Sequence, residues 1–203
     1  MNGAQDGASR FEAVFETIKS GDALARRAAC EEVVRSWRDV PLEPLLVLKG
    51  QFGRMGLEHH EANLDEALVS VCERRPTPFL TLATDPANIC WAAAVEVLSL
   101  VGGPEYLDLF ISLLPLVGKK GVLELIRAIE RYTGPKAAAA VGPLVLSDDE
   151  EVFIEAALAL KKIGGEEAVR RLKDGLQNKK GGSENAGLLT CLLDELEFMN
   201  GDR

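Results

Sequence analysis

The sequence predicts an all-α protein in which about five antiparallel helix pairs follow one another along a single domain of 203 residues. Three observations predict it. From residue 76 onward the same punctuation recurs: Gly103-Pro104 in LSLVGGPEYL, Gly134-Pro135 in AIERYTGPKA and Gly165-Glu166 in LKKIGGEEAV, with the glycines 31 residues apart twice. A glycine ends a helix by taking the left-handed conformation, and a proline or an acid then starts the next one. Apolar positions inside the units keep the same register: Ala94, Leu125 and Ala156 correspond, as do Leu98, Ile129 and Leu160, then Val101, Tyr132 and Ile163. Finally, no alternating β-branched run competes, and aromatic residues make up only 5% of a chain dominated by alanine and leucine.

Taken in order, residues 10–75 form the looser part, with helices expected near 10–20, 22–38, 42–52 and 64–75. The stretch KGQFGRMGLEHHEANLD between the last two is poorly periodic and reads as a mobile loop or a distorted helix end. Residues 76–177 hold the regular repeats. Asp85-Pro86 and Asp148-Asp149 supply N-cap carboxylates for two second helices, whereas Gly118-Lys119-Lys120-Gly121 is a weaker cap for the one between. EEAVRRLKDGLQ and AGLLTCLLDELEFM make a last pair joined by NKKGGSEN, with a capping helix over 183–199.

Nearly half the residues are apolar, enough to bury a continuous core without metal or disulfide staples. A net charge of -9 opposes non-specific attraction to nucleic acid or anionic lipid. The start, MNGAQDGASRFEAVF, has no positive leader followed by an apolar run, and no stretch approaches the roughly 20 apolar residues of a membrane span. A cytoplasmic protein is the expectation. Cys30, Cys72, Cys90 and Cys191 lie far apart inside apolar helical patterns, and read as small buried core residues.

The segment SDDEEVFIEAALALKKIGGEEAVRRLKDGL, with its acidic turn, paired alanines, IG stop and acidic restart, resembles the HEAT-like repeats also seen in phycobilisome lyase subunits. SGDALARRAACEEVV, with Asp22, Arg26, Ala28 and Ala29, is similar to the same turn and second helix. The resemblance implies an α-solenoid whose second helices line a concave surface, and members of this class are usually interaction scaffolds. It also implies an arginine early in the second helix, joined to turn acids. Arg26 fits, while Cys90 and Phe153 stand near that place in later repeats.

Several residues are candidates for function. Glu58-His59-His60-Glu61 combines imidazoles and carboxylates, yet consecutive residues point in different directions, so His59 and His60 are weak metal candidates beside a solvated polar loop. HEAT-like deoxyhypusine hydroxylases use several separated His-Glu pairs, and here His60-Glu61 stands alone. The chain contains no GxSxG, P-loop, CxxC or HExxH, and no cofactor is implied. A basic stretch, Lys161, Lys162, Arg170, Arg171, Lys173, Lys179 and Lys180, raises nucleic acid as a partner, although no aromatics interleave for base stacking.

PANICWAAAVEVLSLV is apolar around nearly its whole circumference and carries Glu96 as its one charge. Either neighbours bury it on every side or part of it awaits a partner. Ile89, Ala93, Glu96 and Leu100 form one helical stripe, and the equivalents a repeat later, Lys120, Glu124, Arg127 and Arg131, are all charged, followed by Glu151, Glu155 and Lys162. Trp91, Trp37 and the run Ala137–Ala140 read as packing residues. The expectation is therefore a scaffold or adaptor that holds a helix or tail of another protein on Ile89, Ala93, Glu96, Leu100, Glu124, Arg127 and Arg131. The alternatives are a lyase-like enzyme subunit taking a bulky apolar ligand, or nucleic-acid binding through the basic C-terminal helices. Oligomeric state stays open.

Overall fold

A computed structural model describes the backbone of residues 3–55, 58–178 and 184–201, and the side chains of 11–52, 62–178, 186–196 and 198. Among the described residues the chain is all-helical, with twelve α-helices and no strand. Among the described residues these make six neighbouring pairs, one more than the five expected. No described helix is long and apolar enough to cross a membrane. The helices cluster into two compact units, Met1–Val101 and Gly102–Arg203.

The first unit holds α1 (Gly3–Ser20), α2 (Ala23–Arg35), α3 (Leu42–Met55), α4 (Glu58–Arg74), α5 (Pro76–Ala83) and α6 (Trp91–Val101). Helix α1 packs on α2, α3 on α4 and α5 on α6, while α2, α4 and α6 also meet in sequence. Apolar residues at helical spacing drive this: Leu45, Leu46, Leu64, Leu68, Val71, Phe79 and Leu98 are all buried. Asp22 caps α2 as its turn acid predicts, accepting a hydrogen bond from the Ala25 amide at 2.8 Å. The poorly periodic stretch after Lys49 is helical over 50–55 and again from 58, so α3 and α4 run further than the pattern indicates. Gly50, Gly53 and Gly56 interrupt the apolar period there without ending α3 before Met55.

The second unit holds α7 (Pro104–Leu113), α8 (Lys119–Ile129), α9 (Pro135–Val141), α10 (Glu150–Ile163), α11 (Gly165–Asn178) and α12 (Glu184–Gly201). Helix α7 packs on α8, α9 on α10 and α11 on α12; α10 also lies against both α8 and α12. The punctuation works as read: Gly134, at φ 100°, precedes Pro135 in the first position of α9, and Gly164, at φ 69°, ends α10. Pro115 and Pro143 have no amide to donate, and α7 and α9 tighten into 3-10 turns at 114–116 and 142–146. The repeat register is a core register. Ala94, Leu125, Ala156, Leu98, Ile129 and Leu160 are each 0% exposed.

Candidate functional site

The apolar segment of the first unit is not one helix. Helix α6 starts at Trp91, and residues 85–90 form turns in which polar side chains hold backbone amides. The Ala87 amide donates to the Asp85 carboxylate at 3.1 Å, and the Cys90 amide donates to Asn88 Oδ1 at 2.8 Å. Such side chains compete with the helix for first-turn amides, which is why the apolar pattern overshoots its start. Ile89 therefore lies in the turn, 78% exposed, while Ala93 is buried. Leu100 is half-buried. Seven of the eleven residues of α6 are buried against the packing of α3, α4 and α5, so its circumference belongs mostly to the core. Trp91 is one of them, and its indole N–H donates to the Ala83 carbonyl at 2.9 Å.

Glu96 is engaged from inside. Lys49, on α3, is buried with its side chain 1% exposed, and its ammonium lies 2.5 Å from Asp65 Oδ1 on α4 and 3.0 Å from Glu96 Oε2 on α6. Burial alone would lower the lysine pKa, but Glu96 and Asp65 outweigh it and hold the group above its ordinary value. One cation thus ties three helices. Lys49 escapes a sequence reading because LLVLKGQF resembles a helix end with a solvated lysine. The signal was its place on the apolar stripe Leu42, Leu45, Leu46, Phe52.

In the second unit the outward stripes of α8 and α10 form a ladder of ion pairs. Arg127 Nε donates to Glu155 Oε1 at 2.6 Å and its guanidinium reaches Glu124 at 3.5 Å; Lys162 donates to Glu130 at 2.7 Å. Lys119 bridges Asp149 at 2.8 Å and Glu151 at 2.9 Å. Arg131 lies beyond the last turn of α8, exposed, and Lys120 is exposed as well. Leu158, 37% exposed, sits on the stripe of α10 between Glu155 and Lys162. The face is thus a set of charges held in place around one apolar point.

The basic stretch is largely paired. Lys161 meets Glu195, Lys162 meets Glu130, and both Arg170 and Arg171 donate to Glu167. Those two guanidiniums, Arg170 first, pull the Glu167 carboxyl down to about 2. Lys179 and Lys180 lie outside the described residues. A cleft of about 880 Å³ opens between Gly134, Lys161, Gly164, Glu166, Arg170 and Leu196.

The side chains of His59 and His60 lie outside the described residues, and among those described no three His, Cys, Asp or Glu side chains gather as a metal group. Cys30, Cys72 and Cys90 are buried, and burial lifts the Cys30 thiol to about 11 and that of Cys72 to about 12. Cys191 departs from its expected burial: it is exposed on α12, on the side opposite Leu189, Leu192 and Leu193. Arg26 donates to the Gly21 carbonyl at 2.5 Å, while Cys90 and Phe153, at the matching places, are buried.

No family model matches the chain, and no curated protein does. Among solved structures it is similar to the crystal structure of an engineered protein, a Northeast Structural Genomics Consortium target. The identity is 16% and the TM-score 0.42, over 92% of this chain and 96% of that one.

Proposed function

We propose that the chain is a HEAT-like α-solenoid scaffold that holds a segment of another protein across the outward face of α8 and α10. The observation that supports this reading is the ladder Arg127–Glu155 and Lys162–Glu130 around exposed Leu158. Isolated surface ion pairs add little stability, so a row of them spanning neighbouring helices is better suited to specifying a partner than to holding the fold. A helix or tail that places an apolar side chain on Leu158 and complementary charges alongside would fit it. Ile89, Glu96 and Leu100 in the first unit enter this reading as a secondary surface, with Ile89 its exposed member.

The test uses the tagged full chain and lysate of the cells that express it, at physiological salt. The double variant Arg127→Glu/Glu155→Arg keeps an ion pair across the helices but inverts the pattern a partner meets. A specific protein retained by the wild type and lost by this variant, at unchanged melting temperature, supports the scaffold. Retention indifferent to the swap, or capture of nucleic acid or pigment without a protein, overturns it.

A further inference from the structure

Helices α7 and α9 of the second unit each end in a proline-tightened turn before the next helix begins, over Leu114–Leu116 and Gly142–Leu146. A 3-10 turn advances about 120° per residue where an α-helix advances about 100°, so the apolar period slips and side chains that would face the core swing outward. Leu116 is 71% and Leu146 48% exposed, and Pro115 and Pro143 are exposed on the same turns, while Leu113 and Val145 stay buried. The two turns adjoin, because Lys119 after the first bridges Asp149 and Glu151 after the second at 2.8 and 2.9 Å. An apolar patch that spans two adjoining turns and is rimmed by charge marks a contact surface, unlike leucines scattered singly.

The rim is divided in sign. Lys120 follows the first turn, and Asp148 and Glu150 follow the second; all three are exposed, and among the described residues none of their charged groups has a hydrogen bond or ion pair. Such a surface is complementary to itself. A two-fold axis lays the first turn of one copy on the second turn of the other, Leu116 on Leu146 and Lys120 against Asp148 and Glu150, and every contact then occurs twice. A purely acidic or purely basic segment would match only one half of the rim. We propose that the chain pairs with a second copy of itself through the turns at 114–120 and 142–150. Two chains of net charge -9 repel at long range, and salt of about 0.15 M confines that repulsion to about 8 Å. So small an apolar patch makes a weak, concentration-dependent dimer. Arg127, Glu155, Lys162, Glu130 and Leu158 take no part in it, so this pairing and the scaffold reading stand or fall separately.

Analytical ultracentrifugation of the full chain at physiological salt, from about 5 to about 500 μM, tests the pairing. The wild type should pass from monomer towards dimer across that range, and Leu116→Glu should stay monomeric throughout. Lys120→Glu sets acids against acids at both contacts, and Asp148→Lys/Glu150→Lys sets lysines against lysine. Each of these variants alone should dimerise at least about tenfold more weakly than the wild type. Mixed one to one, they regain opposite charges at both contacts, and the mixture should dimerise as the wild type does. All four positions are exposed, so the substitutions spare the core, which circular dichroism checks. A wild type that stays monomeric throughout, a dimer indifferent to Leu116→Glu, or a mixture that associates no better than its components each overturns the pairing.

Discussion

Lys49 in the first unit and Lys119 in the second each bridge one aspartate and one glutamate at ion-pair distance. Their surroundings differ: the Lys49 side chain is 1% exposed and that of Lys119 is 47% exposed. In water the attraction of an ion pair is screened and nearly offset by the hydration each partner gives up. For a buried ammonium neither escape is open, so the acids that face it become a condition for helix packing. Contact geometry alone would rank the two clusters as equals; burial separates them.

The largest effect should come from Lys49→Ala, which removes the three carbons beyond Cβ and the charge together. The resulting cavity should cost about 3 kcal/mol, read from denaturant unfolding followed by tryptophan emission. Lys49→Met keeps the volume and drops the charge, but it leaves the partly exposed Asp65 and Glu96 carboxylates without their cation, so it should cost less than Lys49→Ala and still be measurably destabilising at pH 7. If Lys49→Met is as stable as the wild type, apolar volume and not the ammonium holds the three helices together.

Alkali sharpens the contrast with a smaller effect. Both lysines are held above their ordinary 10.5; for buried Lys49 this is stability that is complete below that value and lost as pH rises through the higher folded value, whereas for exposed Lys119 water screens the effect of the same sign. Raising the pH from about 9 to about 11.5 should lower the melting temperature of the first unit, and about 0.5 M salt should hardly change that, since salt screens buried charge poorly. In Lys49→Met the drop should shrink. If salt abolishes the drop in the wild type, Lys49 is as solvated as Lys119.

Much of this fold is legible because glycine, proline and apolar period act locally. Gly134-Pro135 both stops and starts a helix through backbone conformation alone, and Leu125, Ile129 and Leu160 reach the core by periodicity alone. What escapes a sequence reading involves competition or distance. Asp85 and Asn88 divert the amides that would otherwise begin α6, so Ile89 leaves the helical stripe. Ala93 matches the stripe of its repeat but is covered by the first unit's packing. Arg127 and Glu124 do share one exposed helix face, yet the contact that organises it comes from Glu155, 28 residues away. Lys49 needed Asp65 and Glu96, brought by two other helices, before its buried charge made sense.

The smallest effects belong to the exposed cluster, and they divide in an informative way. Asp149 has two separate roles: it pairs with Lys119, and as the N-cap of α10 it accepts hydrogen bonds from the amides of Glu151 at 3.1 Å and Val152 at 3.2 Å. The Lys119 contact is the stronger cause of its lowered pKa, and the backbone amide of Val152 follows. The ranking of electrostatic causes need not be the ranking of contributions to stability. Amides at a helix start have no other intrahelical partner, whereas an exposed ammonium finds water at once. Lys119→Met should therefore leave the thermal unfolding of the second unit unchanged, and Asp149→Ala should lower it measurably, with Asp149→Asn restoring most of the loss because an amide oxygen still caps. Circular dichroism melts of the three variants decide the matter. A Lys119→Met melt as depressed as that of Asp149→Ala would mean that the exposed ion pair, and not the cap, holds the start of α10, and the distinction between buried and exposed clusters would then fail where it should be clearest.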